Sequence, residues 1–277
     1  MKLVQKTLNL AFLTFCVISF SFAQATQTAK DVGSKTAKDG FKNEDKIRDK
    51  FIAWQTDTDA KKWLEIMGFN LSLIHSVNAC KPHGYKADVE VKIRYKSKTE
   101  TNPTEFTKGI SIKLVSSLNG FNQIDKRWLA TYAKMWKMPK NVEEALKLFT
   151  GQLPPTKPSR EANRMFLNEL DKETQANVVE FFTKNKEEIV SDLLKGDGEF
   201  FAPWLFVAQK ESVVNRWKLV KIDDAIKFFS EGNVELTSRG NLKIGRISMQ
   251  RKGGDGGRET AKQLQFKMNP AELFDVK

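Results

Sequence analysis

Cysteine and histidine are scarce in this chain of 277 residues: Cys16 and Cys80, His75 and His83 are all there is. Two cysteines, one of them inside an N-terminal apolar run, build neither a disulfide framework nor a Cys-based zinc site. Two histidines are too few for a His-rich metal centre, and no nucleophile-elbow motif accompanies either, so a Ser-His-Asp triad has no support. The apolar run Leu8 to Phe22 is too short and too abruptly ended for a membrane span. No internal repeat is visible. Catalysis by such a chain must rest on carboxylates, lysines and a hard, oxygen-liganded metal ion.

What is present is a basic globular sequence. Hydrophobic residues make up 40% of it, with 20 Phe and 6 Trp, enough for a real core. The formal charge is +12, and Lys2, Lys6 and Lys30 account for three of these charges, so nine remain on residues 31–277. Such an excess favours a polyanion: nucleic acid, a membrane surface or an acidic protein. Lys2 and Lys6, the apolar run and Ala23-Gln24-Ala25 together have the form of a secretory signal peptide, which would export the protein. The competing reading makes residues 1–30 an extension outside the working protein and leaves residues 31–277 as one cytoplasmic domain.

Along the chain, Phe41, Ile47, Phe51 and Trp54 recur at helical spacing, and a second helix is expected over Ala60 to Met67, ended by Gly68. Lys86 to Tyr95 alternates as a strand, with Val89, Val91, Ile93 and Tyr95 on one face and Asp88, Glu90, Lys92 and Arg94 on the other. Residues 96–107 read as a polar loop. Gly109 to Val115 is a second strand, on which Ser111 and Lys113 share a face. Ile124 to Trp136 and Val142 to Phe149 read as helices, 160–195 as mainly helical, and Asp223 to Phe229 as a helix. Trp204 to Gln209 and Val213 to Lys221 read as strands, and 233–250 as a strand pair. Helices and strands so intermixed predict an α/β domain on a mixed sheet.

If the strands at 86–95 and 109–115 are neighbours, Asp88 stands beside Ser111 and Lys113. A carboxylate next to a lysine is the arrangement of many metal-dependent nucleases: the acid holds Mg²⁺, and the ammonium positions water and offsets developing phosphorane charge. The pattern alone is equally that of an ion pair on an exposed strand face. A second cluster, Met249-Gln-Arg-Lys-Gly-Gly-Asp-Gly-Gly-Arg258 followed by Gln263, Gln265 and Lys267, follows a strand-like run. Arg and Lys pair with guanine edges, Gln with adenine and Asp with cytosine, and glycines let a backbone follow a groove. A solvated Gly-rich loop would look similar.

From Gly33-Ser-Lys-Thr-Ala-Lys-Asp-Gly-Phe-Lys-Asn-Glu44 onward, the chain resembles the HinP-one-I family of GCGC-cutting type II restriction endonucleases. The likeness runs through Gly84-Tyr-Lys, Lys113-Leu-Val-Ser, Gly120-Phe-Asn-Gln-Ile-Asp-Lys126, Phe149-Thr-Gly and Leu153-Pro-Pro155. It continues through Val207-Ala-Gln-Lys210, Gln250-Arg-Lys-Gly-Gly-Asp255, Gly257-Arg-Glu-Thr-Ala261 and Leu264-Gln-Phe-Lys267. It covers about residues 31–275, in order.

The resemblance implies a PD-(D/E)XK restriction-endonuclease-like core, a central mixed β-sheet flanked by helices. It implies Mg²⁺-dependent hydrolysis of double-stranded DNA at GCGC, after the first G, leaving 5′-phosphates, and a cognate methyltransferase within a restriction–modification system. Asp88 and Lys113 fall on the catalytic aspartate and lysine, and Glu44 on a supporting acid of the first helix. Asp88, Ser111 (through a water) and Glu44 are the candidate metal ligands. The family carries Gln or Asn where this chain has Ser111, which puts the ligand set in question. Phe121 and Gln123 fall on residues that engage the recognition site, Phe121 as a wedge between base steps, with Asn122 beside them. Lys126 is expected on a phosphate; Arg251, Lys252 and Arg258 suit guanine, Asp255 suits cytosine, and Gln250, Gln265 and Lys267 suit bases or phosphates. A palindromic word implies two subunits, as a homodimer, or one subunit nicking each strand in turn. The alternatives are a DNA-binding protein whose catalysis failed at Ser111, and an exported binding protein, which rests on residues 1–25 alone.

Overall fold

The computed structural model describes residues 38–84, 86–96, 102–196, 201–210, 216–254 and 258–276. The signal-like N-terminus and Asp255 lie outside the described residues. Helix α1 covers 38–52, with Ile47 and Phe51 buried, and α2 (Thr58–Ile66) buries Ala60, Trp63 and Leu64. Asp57 caps α2 by accepting from the Asp59 and Ala60 amides at 3.0 and 2.9 Å, which satisfies two donors that a helix start leaves open.

Strands β1 (Ile74–Cys80), β2 (Val89–Tyr95), β3 (Thr104–Val115), β5 (Trp204–Gln209) and β6 (Trp217–Lys221) form a first sheet in the order β1-β2-β3-β5-β6. It is mixed, because β3 and β5 are parallel and every other pair is antiparallel. Both of its faces are covered. Val89, Val91, Ile93, Ile110, Ile112, Trp204 and Phe206 pack on α1 and α2. On the other face Leu205 and Val207 meet the cluster built by helices α4 (Lys140–Thr150), α5 (Lys172–Lys184), α6 (Lys186–Lys195) and α7 (Ile222–Ser230). The mixed α/β sheet flanked by helices is therefore the observed architecture.

A second sheet, in the order β4-β10-β9-β8-β7, is antiparallel throughout: β4 (Asn122–Arg127), β7 (Val234–Leu236), β8 (Leu242–Ile244), β9 (Ile247–Arg251) and β10 (Leu264–Met268). Leu264, Phe266 and Met268 point into the same apolar cluster as Leu205 and Val207, so helices α4–α7 serve both sheets. A side-chain alternation of period two then leaves Gln265 and Lys267 on the opposite face.

Three local readings are corrected, the first being that the strand pair expected over 233–250 is three strands, β7, β8 and β9. Ile124 does not start a helix: residues 122–127 are strand β4, and helix α3 begins only at Leu129 and runs to Met135. The apolar spacing of Ile124 and Leu129 looked helical, but pairing with β10 satisfies the backbone of 122–127 instead, and tertiary context overrides so short a pattern. The polar loop assigned to 96–107 contains the first turnless half of β3, with Thr104 to Lys108 paired to Tyr95 to Val91. Neither face is buried there, so no alternation marked it. Strand β1, mostly exposed along the sheet edge, was unrecognised for the same reason.

Candidate active site and nucleic-acid interface

Asp88 stands immediately before β2, its amide donating to the Ile110 carbonyl at 2.9 Å. That register, with Val89 opposite Ile110, sets Asp88 beside Ser111. The carboxylate oxygen Oδ2 accepts from the Ile112 amide at 2.6 Å and from the Ser111 hydroxyl at 3.3 Å. The Lys113 ammonium lies 3.7 Å from the same oxygen, donates to the Ile112 carbonyl at 3.0 Å and reaches Ser111 Oγ at 3.3 Å. Three donors thus converge on Oδ2, while Oδ1 has no partner among the described residues. The bland alternative, an exposed strand pair, does not describe this cluster. Ser111 is 2% exposed and the Lys113 side chain 17%.

Glu44 reaches the same region from α1, but its partner is Lys81, at 2.9 Å, which also meets Asp45 at 3.3 Å. Burial pushes the Glu44 carboxyl above its ordinary range, and the nearby Asp88 adds to this, against the hydrogen bond from Lys81 and the charge of Lys113. Glu44 therefore neighbours the Asp88–Lys113 pair without bonding to it.

Sequence reasoning missed Lys86. Its ammonium donates to the Ile124 carbonyl of β4 at 3.0 Å and to the Leu193 carbonyl of α6, tying the approach to Asp88 to the second sheet. Burial, helped by the positive charge of Lys113, lowers its pKa to about 8. The available signal was its place two residues before Asp88, on the same side of an extended segment.

The donors fit a hard cation in a specific way. Among the described residues no group of three or more His, Cys, Asp or Glu side chains is placed to hold a metal. Oδ1 of Asp88, the Ile112 carbonyl and the Ser111 hydroxyl are all hard oxygens. That set suits Mg²⁺, which keeps several waters and is held by one or two carboxylates plus substrate phosphates.

The turn from β3 to β4 follows the strand that carries Ser111 and Lys113. Asn122 Nδ2 donates to the Leu114 carbonyl at 3.0 Å, so Asn122 pins the turn rather than facing outward. Phe121 beside it is 55% exposed, an aromatic ring without a core to fill. Gln123 and Lys126 are exposed on β4. Across the sheet Gln265 is buried and Gln250 half-buried, and the three glutamines are hydrogen-bonded to one another. Lys267 is half-buried on the same face, and its surroundings pull its pKa down by desolvation.

Arg251 at the end of β9 is largely covered and lies 3.7 Å from Glu161. Arg164 holds Glu161 through two bonds of 2.7 and 2.6 Å, a fork geometry suited to a carboxylate. Desolvation, then the charge of Arg164, lowers the Arg251 pKa. Arg258 is exposed, and Lys252 is half-buried where the chain leaves β9. Gly253 and Gly254 follow with φ of 63° and 59°, a left-handed turn that side chains rarely adopt. Arg251, Gly254, Arg258 and Lys262 line a groove of about 710 Å³ together with Gln152 and Asn163. The structure thus brings Asp88, Ser111 and Lys113 together, with Glu44 nearby, and gathers Gln123, Gln250, Gln265 and Lys267 on one face of the second sheet.

Against known proteins, a family model described as R.HinP1I restriction endonuclease matches residues 67–274, which include every catalytic candidate except Glu44. No curated protein matches. Among solved structures the chain is similar to the restriction endonuclease MspI in complex with its cognate DNA. Identity is 15%, the TM-score is 0.58, and the match covers 81% of this chain and 87% of that one. At that identity the likeness is one of fold.

Proposed function

The chain belongs to the R.HinP1I restriction endonuclease family, a type II site-specific nuclease, and from that premise we propose that it cuts double-stranded DNA at GCGC, after the first G, with Mg²⁺. The observation that carries the reading is the convergence of Ser111 and Lys113 on one oxygen of Asp88. Asp88, with the Ser111 hydroxyl and the Ile112 carbonyl, would hold the ion. Bound there, Mg²⁺ lowers the pKa of a water and draws off phosphate charge.

The protein's own part is orientation and charge. The Ile112 amide and Ser111 hydroxyl fix the Asp88 carboxylate, so it needs no rearrangement as charge develops. The Lys113 ammonium, held 3.7 Å from Asp88 Oδ2, faces the pentavalent phosphorus and stabilises its added negative charge. Water attacks phosphorus and the 3′ oxygen leaves, giving a 5′-phosphate and a 3′-hydroxyl. Glu44 shapes the field from α1 and is not a ligand in this reading.

Phe121, exposed at the β3–β4 turn, is the wedge between base steps, at a cost of a few kcal/mol for unstacking that wider contact offsets. Gln123, Gln250, Arg251, Lys252, Arg258 and Lys267 face the duplex, and Lys126 meets a phosphate. A methyltransferase protecting the same word would accompany the enzyme in a restriction–modification system, working in the cytoplasm, on a palindrome served by a homodimer or by successive nicks.

The test is cleavage of unmethylated plasmid by purified protein with Mg²⁺, followed by sequencing of the fragment ends. Ends mapping to GCGC, with a two-base 5′ extension, are expected. Lys113→Ala should cut about 10²- to 10³-fold more slowly, the loss typical of one group stabilising developing oxyanion charge. Equal rates for Lys113→Ala and parent would remove Lys113 from the mechanism. Selective binding to GCGC with intact plasmid would favour instead a recognition protein whose metal site fails at Ser111.

A further inference from the structure

Gln265 sits mid-strand in β10, in register with Gln250 of β9 on one side and Lys126 of β4 on the other, while Gln123 of β4 pairs with Lys267, two positions along β10. It is 6% exposed, whereas Gln123 is exposed and Gln250 half-buried. Gln250 Nε2 donates to Gln265 Oε1 at 3.2 Å, and Gln265 Nε2 donates to Gln123 Oε1 at 2.5 Å. A primary amide has one accepting end and one donating end. Two bonds through one amide therefore run in a single sense along the chain of three. They leave the Gln123 amino group and the Gln250 carbonyl oxygen without partners among the described residues.

We propose that Gln265 is a buried positioning residue that touches no base and sets the polarity of two readers, turning the Gln123 amino group and the Gln250 oxygen toward DNA. The inference rests on the endonuclease reading. A side-chain amide free to rotate offers donor or acceptor with equal ease and discriminates poorly. Fixed by its neighbour, Gln123 presents a donor and selects an accepting base edge, and Gln250 presents an acceptor and selects a donating one. Guanine and cytosine supply such edges side by side in a GC-only word. Burial of Gln265 keeps both bonds made, so the two readers always present opposite groups, because an unpaired amide there would lose both partners without water to replace them.

The experiment measures cleavage rates of the full-length protein on short duplexes carrying GCGC and each single-base-pair variant. In Gln265→Glu the ionised carboxylate only accepts, so Gln250 keeps its amino group inward while Gln123 must turn its own inward and show its oxygen to the DNA. The expected result is a changed order of preference at one base pair, with discrimination there reduced about tenfold or more. Gln265→Met, of similar length and without polarity, should lower discrimination at the pairs read by Gln123 and Gln250 together. Gln250→Met should also relax the pair read by Gln123, since it removes the donor that orients Gln265. A merely structural role would slow all duplexes alike, leaving their ratios unchanged, and that result in the Met variants would overturn the relay even if Gln265→Glu failed to fold. A parent protein without any sequence preference would sink the endonuclease reading and the relay together. A selective parent with equally selective variants sinks the relay alone.

Discussion

Asp88, Ser111 and Lys113 were legible because side chains on a strand alternate with period two. Once two strands are recognised and aligned, residues at i and i+2 share a face without further information. Glu44 was legible as an acid of the first helix, but its tie to Lys81 was not, since that pairing joins residues far apart in sequence. Lys86 looks unremarkable in the chain, and Gln265 reads there as a contact to bases or phosphates; only their partners show what each holds. Glu169 is another such residue. Although its partial burial opposes ionisation, it accepts from the Ser159 hydroxyl at 2.6 Å, the Phe166 and Arg160 amides at 2.7 and 3.0 Å, and the Arg160 side chain at 2.9 Å. These bonds outweigh desolvation and bring its pKa to about 2. A carboxyl lowered on folding contributes stability that is full above its unfolded pKa, near 4.5, and is lost as pH falls from there toward 2. Between pH 7 and about 3 the parent should lose about 1–2 kcal/mol more than Glu169→Gln, after discounting for solvent screening. Urea midpoints of the two proteins measured across that range check this, and parallel acid limbs would contradict it.

Among the elements, β2 and α7 were read from their one buried face, and β1 and the first half of β3 offer none. Strands β4 and β10 went unread as strands although Ile124, Leu264, Phe266 and Met268 are buried. Strand β2 buries Val89, Val91 and Ile93, and α7 buries Ile222, Ala225 and Phe229. Strand β1 and the first half of β3 bury almost nothing and carry no pattern. The hairpin from β8 to β9 is set by its turn. Ile244 pairs with Ile247 across a two-residue loop, and Gly245, the first of the two, has φ of +57°. Glycine is favoured at that position of a tight hairpin. A Cβ there would lie 2.5 Å from the Phe229 carbonyl oxygen and 2.9 Å from the Ser230 carbonyl. Gly245→Ala should therefore destabilise the protein by about 2 kcal/mol or more, combining positive-φ strain with a backbone clash. Thermal denaturation would show it as a lowered midpoint. An unchanged midpoint would mean the hairpin shifts freely, which its bonds to Asn233 and Phe229 argue against.

At the scale of the molecule, the charge of +12 and the exposed lysines predict binding dominated by phosphate contacts. Affinity for duplex DNA should fall steeply with salt, on the order of 10³-fold between about 50 and about 200 mM if about six phosphates are neutralised. Binding isotherms at several salt concentrations would give the slope, and a flat dependence would place recognition outside the basic surface. The sequence by itself determined which residues form the candidate site around Asp88, the mixed α/β class and the run of residues that resembles a nuclease family. These rest on local periodicity and on residues kept in order. Only the tertiary structure decided that 122–127 is a strand, that a second sheet exists, and that Gln123, Gln250 and Gln265 form one chain of amides. Those three residues are separated by more than a hundred positions at the widest. They meet because backbone donors and acceptors of distant strands must pair with each other once buried, and no local pattern encodes which strands will do so.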